Sequence, residues 1–362
     1  MNVGKFHYVI YTVETEIRKN NLLALLDQFR SSFSTYLSQR STESNEEFKS
    51  SLENFKTATD SCPSNNFTVS EQNILQQLKL NEMHGSELTG KGLYNKVLNA
   101  LTINNVTLAD ALQQINEVYN NLSTFYSTIK RIDDSFTELQ IEFDDMERNE
   151  CEIGYLIPRD ITDNTMKGLI HEFKSIDDFL TTIKEIVSEE ASSTKIRTIS
   201  NSEFQVFLES TPAVIGAVML SVERVVALIR NIIETKKLYE EMKSKSIPAE
   251  ITDPLKAYID ASVSEGINKL ADQLVTENYK KGDAGRANEL QVLLKRHLLY
   301  LADRIDKGAT VEVRTHVETE GEQSEEQQQL TLQVENFRKL ISESSTSPKN
   351  SLLLVASEDE KN

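Results

Sequence analysis

The sequence predicts a mostly α fold, an elongated antiparallel helical bundle with coiled-coil arms and a few short β-strands. Three observations predict it. From Leu108 to Met146, apolar residues at Leu108, Ala111, Ile115, Val118, Leu122, Phe125, Ile129, Ile132, Phe136, Leu139, Phe143 and Met146 alternate steps of three and four. Only helical geometry puts such positions on one face. A second stripe, Met166, Leu169, Phe173, Ile176, Leu180, Ile183 and Val187, repeats that spacing. Twelve Gly and six Pro in 362 residues are too few for a fold that turns every few positions.

Taken in order, Phe6–Val13 is aromatic and β-branched, and reads either as a strand or as the opening of the first helix. Helical spacing then runs through Ile17, Leu22, Leu26, Phe29, Phe33 and Leu37. The polar stretch Gln39–Glu47 should interrupt it before a short helix around Phe48, Leu52 and Phe55. Asp60–Asn66, with Pro63, reads as a loop, and Ser70-Glu71 as the cap of a helix carrying Ile74, Leu75 and Leu78. Gly85–Gly92 reads as a turn, and a short helix follows to Leu101. Thr107 and Asp110 are the expected N-cap and N3 of the long helix, which at 1.5 Å per residue would span roughly 58 Å. Its second half is strongly acidic. The simplest packing sets the Met166–Val187 helix antiparallel over the distal part of this seam.

Between the stripes, Ile153, Tyr155 and Ile157 alternate as a strand that Pro158 ends. Lys195–Ile199 and Phe204–Leu208 alternate as a hairpin across Ser200–Ser202. Thr211-Pro212 starts a helix expected to reach about Lys245, and Asp253-Pro254 starts the next, through Leu274. After the Lys280–Asp283 turn a third helix runs through Leu290, Leu298 and Ile305 to Gly308. Thr310–Glu318 switches to period two, with Val311, Val313 and Val317 opposite Glu312, Arg314 and His316. A short helix or strand is expected around Leu330–Ile341. The resulting organisation is an N-terminal helical region over 1–106, a long helical hairpin or coiled-coil arm over 107–190, and a C-terminal helical core with a short hairpin over 191–308. A strand and short-helix appendage over 309–341 and a disordered acidic tail over 342–362 complete it.

A net charge of −18 opposes binding to phosphate backbones and anionic lipid, so neither nucleic acid nor membrane is an expected partner. Two cysteines, Cys62 and Cys151, make no disulfide framework, and the N-terminus lacks an apolar run of signal-peptide length before its acids begin. Pro212–Val222 is the most apolar window. Eleven residues are about half a bilayer core, which favours a buried helix over a membrane segment.

Gly85–Gly92 (GSELTGKG) falls one residue short of the phosphate loop, since Gly92 stands where the magnesium-binding hydroxyl belongs and Glu87 adds negative charge. It reads as a helix-to-helix turn. His7, His84, His171, His297 and His316 never take zinc-hydrolase spacing, and His297 falls on an apolar face. Asp133-Asp134, Asp144-Asp145 and Asp177-Asp178 each offer at most one inward carboxylate, because neighbours on a helix point about 100° apart, and they read as solvated faces. No metal or cofactor site is expected.

The favoured reading is a cytoplasmic, acidic helical scaffold or protein–protein interaction component of a multi-protein assembly, with enzymatic activity left open. Its expected partners are proteins or further copies of itself. Two alternatives stand beside it. One is an enzyme whose site assembles from distant residues, with Arg159, Asp160 and Asp163 beside the Pro158 turn as the candidates. The other is a membrane-engaging effector that exposes Pro212–Val222.

Overall fold

The computed structural model describes residues 2–103, 108–142, 144, 146, 150–188, 193–200, 204–245, 247–315 and 325–345. They are mostly helical, with a few short antiparallel strands, and the chain divides into two compact units, Met1–Asp145 and Met146–Asn362.

The first unit is built from helices α1 (Val3–Lys19), α2 (Leu22–Gln39), α3 (Thr42–Asp60), α4 (Val69–Gln77), α5 (Gly90–Ile103) and α6 (Leu108–Glu138). Phe6–Val13 is helical, inside α1, whose N-terminus is capped by the Asn2 side chain accepting from the Gly4 and Lys5 amides. The break between α2 and α3 is shorter than the polar Gln39–Glu47 stretch suggests. Arg40 turns the chain in the left-handed region, and Ser41 with Ser44 forms a reciprocal cap, so the acids after it lie within α3. Likewise the cap of α4 is Thr68, two residues before the expected Ser70, because Thr68 and Glu71 form the capping box. A two-residue hairpin, β1 (Lys79–Leu80) with β2 (Met83–His84), and a 3-10 turn at Gly85–Glu87 lead into α5.

The long helix ends earlier than its stripe. Gln140 adopts a left-handed φ of 55°, the Gln140 amide donates to the Thr137 carbonyl, and the Ile141 amide donates to that of Phe136 at 2.9 Å. This is a Schellman stop without glycine. The chain then returns to α1, where the Asp144 amide donates to the Gly4 carbonyl at 3.1 Å. The expected continuous helix to Met146 is therefore corrected to one ending at Glu138. Phe143 and the proposed cap Thr107 lie outside the described residues. The stripe of α6 is covered by α1, α2 and α5 of its own unit, and Ala111, Ile115, Val118, Leu122, Phe125 and Ile129 are buried.

In the second unit β3 (Cys151–Ile157) is the inner strand of a four-stranded antiparallel sheet. Its order is β4 (Ile196–Ser200), β5 (Phe204–Ser210), β3, β6 (Thr310–Thr315). Every residue of β3 is buried. The four helices α7 (Met166–Ile186), α8 (Pro212–Ser244), α9 (Ala249–Asn278) and α10 (Ala284–Asp306) pack on one another, and α8 also meets β3 and β6. The second stripe, on α7, is thus covered by α8, α9 and α10. The 107–190 hairpin expected from two matching stripes gives way to two helices with separate partners, and the unit boundary falls between them. A stripe demands a cover but does not name it.

α8 starts and stops as its sequence predicts, with the Thr211 hydroxyl capping the Val214 amide. α9 begins before Asp253-Pro254. Pro254 lies inside it and removes one backbone donor near the exposed Glu250 end. The 309–341 segment is no appendage. β6 buries Val311 and Val313 beside β3, and α11 (Glu325–Ser345) buries Val334, Phe337 and Ile341. Arg338 Nε donates to the Val313 carbonyl at 3.1 Å, and Arg230 donates to that of Leu340 at 3.3 Å. Ser342–Ser345, expected in the tail, form the last turn of α11. Val317 and residues 346–362 lie outside the described residues.

Candidate functional site

The densest set of interior ionisable groups in the first unit lies on α1. Two stripes of helical spacing run along it, Lys5-Val9-Thr12-Glu16 and His7-Ile10-Glu14-Ile17, and all eight residues are buried. Each stripe mixes core residues with charged ones because α1 is enclosed by α2, α4, α6 and the 3-10 turn Pro63–Asn66.

The second stripe faces α6. His7 Nε2 lies 3.4 Å from Asp133 Oδ1, and the His7 ring stands 4.6 Å from that of Phe136. Burial pushes the Asp133 carboxyl above its ordinary value, against the opposing pull of His7. Glu14 takes the Arg18 guanidinium at 3.0 Å and a hydrogen bond from the Tyr126 hydroxyl at 3.3 Å. Burial first, then Glu14, raises the Tyr126 phenol.

The first stripe faces α4 and the turn. Lys5 Nζ donates to Ser70 Oγ at 3.2 Å. Glu16, 1 % exposed, accepts from the Ser64 amide at 3.0 Å and from the Ser64 hydroxyl at 2.9 Å. The Gly90 backbone amide lies near it and also favours its charged form. Burial outweighs these influences and pushes the Glu16 carboxyl up to about 7. Beside it the Cys62 thiol is raised by burial and by Glu16 to about 12, so it is a protonated core group and not a nucleophile.

This geometry explains the near-match to a phosphate loop. At the start of α5 the Lys91 amide is taken up inside the chain by Asn65 Oδ1 at 2.8 Å, and the Gly90 amide lies against Glu16 and Cys62. A Cβ at Gly92 would lie 1.8 Å from the Ser86 carbonyl oxygen, so a serine or threonine hydroxyl cannot stand there.

The second unit carries two further charged groups of residues. In the sheet, Glu152 lies 3.4 Å from Arg314 and 3.5 Å from Arg197, which also meets Glu150 at 2.7 Å. Between α7 and α10, Arg304 holds the buried Glu172 at 2.9 Å and lies over the Tyr300 ring at 4.2 Å. His297 packs against Phe179, and burial lowers its pKa, as befits a histidine on an apolar face.

Arg159, Asp160 and Asp163 share one 3-10 turn after β3 and are all exposed. The Arg159 guanidinium lies 5.7 Å from the centre of the Phe204 ring, and Asp163 is left-handed at φ 49°. Of the aspartate pairs, Asp133 points inward and Asp134 outward, while Asp177 and Asp178 are both exposed. Among the described residues no group of three or more His, Cys, Asp or Glu is arranged to hold a metal ion. Glu16 escaped the sequence reading. The available signal was an acid spaced with Val9 and Val13 on a helix whose opposite side is also apolar.

No family model, curated protein or solved structure matches this chain.

Proposed function

We propose that the protein is a cytoplasmic helical interaction component that binds an extended segment of a partner protein along β4. The observation that carries this reading is the pair Ile196 and Ile199, 55 % and 53 % exposed on the edge strand of the sheet. A register shift between Ile196 and Thr198 brings both onto one face, opposite the buried Leu208 and Val206. They extend an apolar sheet face on a strand that stands at one edge of the sheet among the described residues. Edge strands are ordinarily blunted by lysines and bulges. Here Lys195 and the register shift guard one end and Ile199 stays bare. An added strand gains backbone hydrogen bonds from the edge and specificity from the isoleucines.

The test replaces Ile196 and Ile199 together by lysine and compares this variant with Val292→Lys on the exposed side of α10, each purified from host cells after cross-linking. The expected outcome is loss of one defined partner from the β4 variant alone, with melting temperatures of both variants near that of the parent. The same partners on both variants overturn the reading, and a concentration-dependent dimer abolished by the β4 substitutions identifies the partner as a second copy.

The membrane-effector alternative rests on α8, since Pro212–Ile232 has the length and apolarity to cross a membrane. Val214, Ile215, Val218, Val222 and Val225 of that stretch are buried, the environment of a core helix. The core reading is therefore preferred.

A further inference from the structure

We propose that Glu16 is a proton-operated latch whose protonated form keeps the Cys62–Phe67 turn and the start of α5 docked on α1, and whose ionisation weakens that docking. The geometry is that of one carboxyl joining two segments distant in sequence, Glu16 on α1 and Ser64 in the turn after α3, with Gly90 at the start of α5 beside it. Asn65 strengthens the same junction by accepting from the Lys91 amide and donating to the Thr59 carbonyl at 2.8 Å. Gln72 on α4 ties the turn down through the Ser64 carbonyl at 3.1 Å.

No cation pairs with Glu16 among the described residues. Of the neighbouring ionisable groups, Cys62 stays protonated, Asp60 lies behind it, and the Lys91 side chain is exposed. The neutral Ser64 donors stabilise the carboxylate, but they do not replace the water it has lost. A buried acid with no counter-ion takes up a proton instead. Once protonated, its hydroxyl donates to Ser64 Oγ, a group able to accept as well as donate, and its carbonyl oxygen still serves a backbone amide.

The sign follows from linkage. The folded carboxyl titrates at about 7 and the solvated one at 4.5. Any opening that wets Glu16 is opposed in full below pH 4.5 and becomes progressively easier as pH rises to about 7, with no further change above it. Each unit between the two values makes that opening about tenfold easier. The latch is thus closed in mild acid and loosened in the neutral range.

Two measurements on the full chain test this. In infrared titration the expected result is a protonated-carboxyl band that disappears with a midpoint near 7 and is absent from the Glu16→Gln variant. A midpoint in the ordinary carboxylate range, or the same band in the variant, overturns the proposal. Hydrogen exchange at Ser64 and Gly90, corrected for base catalysis, should accelerate between pH 5 and 7 in the parent and stay level in Glu16→Gln. Parallel behaviour of parent and variant, or acceleration spread evenly over α2 and α6, also overturns it. If the variant fails to fold, exchange in the parent alone keeps the proposal falsifiable, since a level corrected rate at Ser64 between pH 5 and 7 overturns it.

Discussion

At Gly154, in the middle of β3, a methyl group would lie 2.6 Å from the Phe207 ring and 2.7 Å from Glu312 Cγ. Both neighbours are buried, so neither has room to retreat. Gly154→Ala should destabilise the second unit by about 1–3 kcal/mol, the usual range for overpacking a full core. Gly216, inside α8, meets nothing within 4 Å of the same hypothetical methyl. There Gly216→Ala should stabilise by roughly 0.5–1 kcal/mol, because alanine has less freedom to lose on entering a helix. Urea midpoints of the two variants check both signs, and a tolerated Gly154→Ala would mean that Phe207 does not cross this strand. The same residue-scale logic separates Glu16 from Glu172. Both are buried acids, but Glu172 faces Arg304 and Glu16 faces only neutral donors.

Among the elements, those with local start and stop signals were legible in the sequence. Thr211-Pro212 and the polar run before Pro248 bound α8 almost to the residue, and alternation identified β3 and the β4–β5 hairpin. The end of α6 was not legible, since its Schellman stop uses Gln140 where glycine is the usual marker and apolar residues continue beyond it. The partner of each stripe was not legible either. α6 and α7 carry interchangeable 3-4 spacing, and pairing is decided by side-chain shape and chain connection, not by period. Nor was the polar interior of α1, because a charged residue carries no mark in the sequence to say that other helices will enclose it. The segment after Gly308 shows the consequence. Alternation revealed β6, but not that it would lie beside β3, so the segment over 309–341 reads as an appendage. Its deletion would expose the β3 edge and strip Val311, Val313, Val334, Phe337 and Ile341 from the core. At about 1.5–3 kcal/mol per buried side chain, five of them amount to roughly 7–15 kcal/mol, the scale of a whole domain's stability. The chain truncated after Ala309 should therefore lose the cooperative unfolding of its second unit, read by circular dichroism and limited proteolysis. A truncated chain with unchanged melting would restore the appendage reading.

For the molecule as a whole, the division at Asp145 is a statement about cores. One continuous apolar cluster runs from Val9 to Ile129 through α1–α6, with the Phe29 ring 5.6–6.5 Å from those of Phe33, Phe48 and Phe55 and the Phe33 ring 5.1 Å from that of Phe48. The amide of Asp144 closes on Gly4, so the unit's last residues are fastened to its first helix. A segment of this length with its own core and fastened ends meets the requirements of an autonomous domain. Residues 1–145 expressed alone should fold as a monomer and unfold in one transition. At about 0.7 kcal/mol per residue, the expected unfolding enthalpy is roughly 100 kcal/mol, with calorimetric and van't Hoff values in agreement. Glu16, Ser64 and Gly90 all lie inside this fragment, so the loss of stability between pH 4.5 and about 7 should travel with it. A fragment with helical circular dichroism but no near-ultraviolet signal would show that the first core forms only when the second unit is attached. A well-folded fragment with a level pH profile would instead separate the two ideas, keeping the domain and removing the latch.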